Sequence, residues 1–205
     1  TVSWTSKKNG YEITQFYHGA VFPNGQTFIC STQDNGTLKG STASTTWSTI
    51  RGGDGGYVAV NPADTNMLFA ENTGLSFQRS TNGGATWTTL TSGITEGAGN
   101  FLFITPFTQD PTNAARMYIG GARVWRANNA TAAAAPSPFW TLASPFLGAR
   151  ISALAVSPLD ANRAYVGTGT GGGTANNGRV WTTNVATTAT GATAWTSAQL
   201  RADSA

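Results

Sequence analysis

Nine carboxylates, one histidine and one cysteine carry nearly all the acid–base and nucleophilic chemistry that this 205-residue chain offers. The sharpest placement is in RGGDGGYVAV, where Asp54 stands between two glycine pairs just before an apolar run. Glycine on both sides lets a ligand or a sugar approach the backbone closely. Glu71, at the end of the next apolar run, is its candidate partner. Two carboxyls flanking one cleft are what hydrolysis of a glycosidic bond requires, and their separation decides the stereochemical outcome. The other reading is local: Asp54 accepts hydrogen bonds from loop amides and shapes a glycine-rich turn.

Other chemistries find less. His18 in QFYHGAVF and Cys30 in QTFICST are the only residues of their kinds and sit in strand-like runs, so a packed or channel-lining imidazole and a packed thiol are expected. One His and one Cys do not make a zinc site, and neither a metal nor a cofactor is expected. Neither GTGTGGGTANNG (167–178) nor RGGDGG ends in Gly-Lys-Ser/Thr or opens a helix, so neither is a phosphate-binding loop.

The elements that must position these residues follow from a repeat. Tryptophan followed by Thr or Ser recurs at Trp4, Trp47, Trp87, Trp140 and Trp195, with gaps of 43, 40, 53 and 55 residues. Midway between them lie YVAVNPADTNMLFA (57–70), FLFITPFTQDPTNAARMYIG (101–120) and ALAVSPLDANRAYVG (153–167), each two apolar runs around a Pro/Asp/Asn turn; GAVFPNGQTFIC (19–30) is a shorter version. Before each later tryptophan comes NGTLKGS, TGLSFQRS, GARVWRA or NGRVWTT.

One unit is therefore strand a, Pro/Asn turn, strand b, glycine loop, strand c, Ser/Asn/Gly turn and strand d. The strands are short, alternating and rich in Val, Ile, Phe, Tyr, Trp and Thr, and no helical periodicity is present. Repetition of a four-stranded antiparallel unit of ~40–50 residues predicts an all-β β-propeller. About four blades are expected, near 11–50, 51–90, 91–143 and 144–200, with residues 1–10 as the outer strand of a preceding blade. NNATAAAAPSP (128–138) is expected to be an inserted loop.

RSTNGGATWTTL (79–90) resembles the Asp-box of the bacterial neuraminidase repeat (BNR) family, whose pattern is Ser-x-Asp-x-Gly-x-Thr-Trp; Ser80, Asn82, Gly84, Thr86 and Trp87 occupy its positions, with Asn for Asp. The other units carry only remnants, such as Thr46-Trp47. Asn82 accepts backbone amides two residues on and Gly84 takes a positive φ, so the motif is expected to staple a hairpin. The resemblance implies a rim position away from the active face and a ring of six or more blades. The chain is then expected to be part of a larger propeller of six to eight blades, with open blade edges that invite self-association.

In a blade, the d→a and b→c connections share one face, where propeller sites lie. This removes Asp64, Asp110 and Asp160 as turn formers and retains Asp54 and Glu71 as catalytic candidates, with Arg51, Asp34, Glu96 and Arg150 as ligand-binding ones, and Glu12 beside them. Sialidases of this resemblance hold a carboxylate with three arginines. Here only Arg51 and Arg150 fall near that face, Arg79, Arg123, Arg126 and Arg179 lie on or beside strand c, and ARISAL (149–154) lacks the Pro of the sialidase Arg-Ile-Pro motif. Sialidase activity is not expected.

Composition closes the field. Charged residues are 10% of the chain and the net charge is +3, with the basic residues scattered singly, so no nucleic-acid footprint exists. No apolar run approaches the ~20 residues of a membrane span. Few charges, many small hydroxyl residues and a start at Thr1 suit a secreted or periplasmic bacterial protein. The expectation is an exported propeller that binds carbohydrate or a protein partner; the alternative is a fragment of a glycoside hydrolase with Asp54 as its best acid or nucleophile.

Overall fold

A computed structural model of the chain describes residues 2, 3, 5, 14–169 and 178–199. Four antiparallel sheets follow one another along it, each meandering in chain order. The first holds β1 (Phe16–Val21), β2 (Thr27–Thr32), β3 (Gly36–Ser41) and β4 (Ser44–Arg51). The second holds β5 (Val58–Val60), β6 (Leu68–Glu71), β7 (Phe77–Ser80) and β8 (Thr88–Thr89). The third holds β9 (Phe107–Asp110), β10 (Asn113–Gly120), β11 (Val124–Ala127) and β12 (Thr141–Leu142), and the fourth β13 (Ile151–Val156), β14 (Ala164–Thr168), β15 (Arg179–Thr183) and β16 (Thr196–Gln199). A single 3-10 turn, Ala98–Asn100, is the only helical element among the described residues. Strand β1 packs beside β5, and β9 beside β13: these are blades of a β-propeller, stacked face to face.

Each blade begins with the same local device. Asn24, Asp64, Asp110 and Asp160 each accept, through Oδ1, the N–H of the residue two positions on, at 2.8–3.0 Å, and turn the chain from strand a to strand b. Strand b then alternates between two neighbours. Leu68 packs towards the first blade and Phe69 towards the third; Met117 and Tyr118 repeat this one blade later. All four are wholly buried. The densest junction lies between the second and third blades, where Phe77 meets Phe107 edge-on at 5.0 Å and Trp140 at 5.1 Å. Each such side chain stabilises the fold by about 1.5–3 kcal/mol.

Two further contacts repeat at the junctions. The indole N–H of Trp87 donates to Ile50 O at 2.9 Å, that of Trp140 to Leu90 O at 2.7 Å and that of Trp195 to Ala143 O at 3.1 Å. In every case the carbonyl belongs to the residue three beyond the preceding blade's tryptophan. In the opposite direction, Arg79 reaches from β7 to the carbonyls of Ala130, Ala132 and Ala133 in the next blade's c→d loop. Arg126 does the same from β11 to Ala186 and Ala189. The alanine-rich insertion at 128–138 is thus held from outside its own blade. Trp4 and most of the expected outer strand at 1–10, Glu12, and most of the glycine loop at 167–178 lie outside the described residues.

Candidate functional site

The d→a connection entering each blade is tied to the b→c turn of the blade before it. Gly55 N–H donates to Thr32 O at 2.9 Å, Gly74 N–H to Phe103 O at 2.9 Å and Ile151 N–H to Gly121 O at 2.8 Å. Thr105 adds its hydroxyl to Gly74 O at 2.6 Å. These loops together build the face on which the candidate residues fall.

Asp54 does not stand free on it. Its Oδ1 accepts the N–H of Asp34 at 2.7 Å, fastening the d→a loop to the β2–β3 turn. Asp34 sits in the left-handed region with φ 63°, a conformation Asp tolerates better than most residues. Glu71 is wholly buried, and among the described residues neither carboxyl oxygen has a partner in hydrogen-bonding geometry. Burial pushes its pKa up to about 9, outweighing the opposing pull of the Thr105 and Tyr57 amides, which lie near it without making a well-formed hydrogen bond, and of the Arg51 charge. At neutral pH Glu71 is therefore a neutral acid. Of the two catalytic candidates, Asp54 is engaged with an amide through one oxygen and Glu71 is sealed from solvent.

The glycines around Asp54 have a different duty from the one their exposure to a ligand suggests. A Cβ on Gly56 would overlap Glu71 Oε2, one on Gly53 would lie 2.8 Å from Asn72 Nδ2, and one on Gly55 would lie 2.7 Å from Ser31 Cβ. They let the loop press onto the protein's own side chains. Arg51 donates from Nε to Gln78 Oε1 at 2.7 Å and from Nη2 to Ser76 Oγ at 3.4 Å, which joins β4 to the second blade. Burial holds its pKa below the usual arginine value. His18 stacks on Tyr57 at 4.6 Å, and Tyr57 lies 6.1 Å from Phe107, so an aromatic row lines the inner strands of three blades. Burial lowers the His18 pKa and raises that of Tyr57.

Glu96 is also committed. It accepts the indole N–H of Trp125 at 2.7 Å and pairs with Arg123 Nη1 at 3.3 Å. That leaves Arg150. With Asn100, Ala122, Phe146 and Ala149 it lines an open cleft of about 350 Å³ between the third and fourth blades. Phe146 is 56% exposed, and the Arg123 guanidinium lies 5.8 Å from its ring centre. Phe103, in the preceding d→a connection, is equally exposed. Sequence reasoning selected charged residues and passed over these aromatics; the available signal was a phenylalanine inside a Pro/Gly-flanked d→a loop. Among the described residues no three His, Cys, Asp or Glu side chains gather as metal ligands.

The Ser80–Trp87 turn lies at the other end of the second blade. Ser80 Oγ accepts Gly84 N–H at 2.9 Å and donates to Asn82 Oδ1, which also accepts Thr86 N–H at 2.9 Å; Asn82 Nδ2 donates to Thr86 Oγ1 at 2.8 Å. Gly83 and Gly84 have φ of 71° and 99°.

No protein-family model matches the sequence, and no curated protein matches it. Solved structures do. The chain superposes on a GH74 enzyme of Niastella koreensis with a TM-score of 0.64 and 20% identity, covering 89% of this chain and 30% of that one. It superposes on an ancestral GH74 enzyme with a TM-score of 0.66 and 18% identity, covering 91% and 26%. For the GH74 xyloglucanase of Xanthomonas campestris the values are 0.60, 17%, 89% and 30%. This chain thus spans about 30% of the length of two of these enzymes and 26% of the third, and at such identities the likeness is one of fold: part of a β-propeller shared with glycoside hydrolases.

Proposed function

We propose that this part of the propeller binds carbohydrate without hydrolysing it, in the cleft between the third and fourth blades. One observation carries the reading: on the face where sites form, Asp54, Glu71 and Glu96 are engaged or buried, while the cleft offers a largely exposed phenylalanine and an exposed arginine whose side chain bonds to none of the described residues. A volume of about 350 Å³ is at the small end of ligand sites, which run from ~300 to ~1,000 Å³. The Phe146 ring provides an apolar face for a sugar ring, and the Arg150 guanidinium and Asn100 amide provide donors for hydroxyl or carboxylate oxygens. The fold shared with GH74 enzymes supports a carbohydrate ligand, and composition supports export.

Calorimetric titration with oligosaccharides, one set neutral and one bearing uronic acids, tests this. Binding that is lost in Phe146→Ala while the melting temperature stays put supports the cleft; binding unchanged by that substitution removes it. One observation favours the alternative, a piece of a glycoside hydrolase: Glu71 is held as a neutral acid, the state a general acid needs. Release of reducing ends that disappears in Asp54→Asn is the result that reading requires.

A further inference from the structure

Four polar side chains gather where the rim of the third blade meets the fourth, at the end of that junction opposite the cleft. Tyr118 of β10 and Arg126 of β11 are register partners and share the face that packs on the fourth blade. Arg126 crosses to the carbonyls of Ala186 and Ala189 through Nη1 alone. Arg116, two residues before Tyr118, is near enough that its charge acts on both the Tyr118 phenol and Arg126. Its own Nη1 donates to Asp110 Oδ2 at 2.8 Å. The other oxygen of Asp110 accepts the N–H and the hydroxyl of Thr112 at 2.8 and 2.7 Å, so this carboxylate is fully engaged.

What the cluster leaves over is a set of donors. The Tyr118 hydroxyl and the Nε–H groups of Arg116 and Arg126 are buried and have no partner among the described residues. Tyr118 is at 0% exposure and Arg126 at 8%. Burial pushes the Tyr118 pKa up to about 12, so the phenol keeps its proton at neutral pH. Two guanidinium charges against the one Asp110 carboxylate leave a positive charge in excess, and no carboxylate among the described residues acts on Arg126. Buried charges are ordinarily paired.

The repeat supplies the comparison. In the second blade the same three positions hold Met67, Phe69 and Arg79. Arg79 also has a partnerless Nε, so that feature alone belongs to the clamp on the next blade's loop. Arg79, however, spreads over three carbonyls and has a hydrocarbon ring beside it where Arg126 has a phenol. The fourth blade has Thr182 in place of Arg126. Only the third blade combines two guanidiniums with a buried hydroxyl.

We infer that this corner binds a small monovalent anion such as chloride, held by the Tyr118 hydroxyl and the Nε–H groups of Arg116 and Arg126. Water suits these donors less well. It must find acceptors for its own hydrogens, and the Asp110 carboxylate and the Ala186 and Ala189 carbonyls are already engaged. An anion only accepts, and it balances the excess charge. The Arg116 side chain, 17% exposed, gives the corner its edge to solvent. The site goes beyond the sugar-binding reading and stands whether or not the cleft binds a ligand.

Chloride NMR on the full chain reads it: added protein should broaden the chloride line, and the broadening should saturate as chloride is raised. Tyr118→Phe installs the second blade's residue without disturbing the packing and should weaken binding about tenfold. Arg116→Met, also the second blade's residue, should remove it. Tyr165→Phe alters the matching phenol of the fourth blade and should leave it unchanged. In melts at equal ionic strength, sodium chloride should raise Tm above its value in sodium isethionate for the parent and Tyr165→Phe, and not for Arg116→Met. Crystals grown from bromide should show an anomalous peak beside Tyr118 Oη, a test that needs no substitution. Absence of saturable broadening or of that peak in the unaltered protein overturns the inference. Broadening that survives both Tyr118→Phe and Arg116→Met overturns it too, because chloride then sits elsewhere. So does a loss of Tm in Tyr118→Phe that is equal in the two salts, since the hydroxyl then meets something other than an anion.

Discussion

At one end of the second blade, Ser80, Asn82 and Thr86 bond one another and the amides of the turn they occupy. At the other end, Glu71, Asn72 and Arg51 bury polar atoms that find no partner among the described residues. Residue types of similar polarity thus reach opposite states some ten residues apart along the chain. The turn is satisfied because its donors and acceptors lie within seven residues and one short hairpin sets their geometry. The Glu71 corner is assembled from β4, the Gly53–Gly56 loop and Thr105, three pieces whose positions are decided by blade packing. A buried polar group left without a partner costs about 1–3 kcal/mol, so this corner is a place where the fold spends stability.

The largest expected effect strikes neither end but the packing that holds both. Trp140→Ala removes a wholly buried indole and its bond to Leu90 O, and urea denaturation should show a loss of about 3–5 kcal/mol. Trp87→Ala should fall at the low end of that range, because Trp87 is only half-buried. Next comes the glycine cover. Gly56→Ala drives a methyl group into the Glu71 carboxyl and should cost about 1–3 kcal/mol. Combined with Glu71→Ala it should cost clearly less, a coupling that a double-mutant cycle measures directly; simple additivity of the two effects would show that the loop does not press on Glu71.

Glu71 also sets a pH slope. The folded protein holds its proton up to about pH 9, while the unfolded chain releases it near the ordinary glutamate value of 4.5. Between those values the unfolded state binds fewer protons, so stability falls as pH rises and levels off above about 9. Glu71→Gln keeps the neutral shape and should flatten that part of the profile, leaving the variant more stable than the parent at pH 8 in thermal melts. At the turn the opposite holds. Asn82→Ala leaves the Thr86 amide without its acceptor and should cost about 1 kcal/mol, whereas Asn82→Asp keeps that acceptor and should change little at any pH from 6 to 9. The smallest effect belongs to Asp54→Asn, which keeps an oxygen for the Asp34 N–H: less than about 0.5 kcal/mol by the same melts.

The fold was legible because its signals are local. Alternation in ISALAV and YVAV, the Pro/Asp/Asn turns and the returning tryptophans each act over a few residues, and four repetitions remove the ambiguity that any single stretch carries. The Ser80–Trp87 hydrogen bonds are local in the same sense. The candidate residues were legible, and their engagements were not. Glu96 reads as a free acid until Arg123 and Trp125, 27 and 29 residues away, close on it. Asp54 looks aimed at a ligand until Asp34, 20 residues earlier, presents its amide. The glycines of RGGDGG suggest access until the buried Glu71 appears beneath them.

From the amino-acid order alone, then, came the strands, the turns and the candidate face, since backbone pattern and turn chemistry operate within one hairpin. Which acids are spent and which aromatic is left exposed were decided only when the blades packed. Those properties depend on distances between segments that are 20 to 60 residues apart, and no local pattern encodes them.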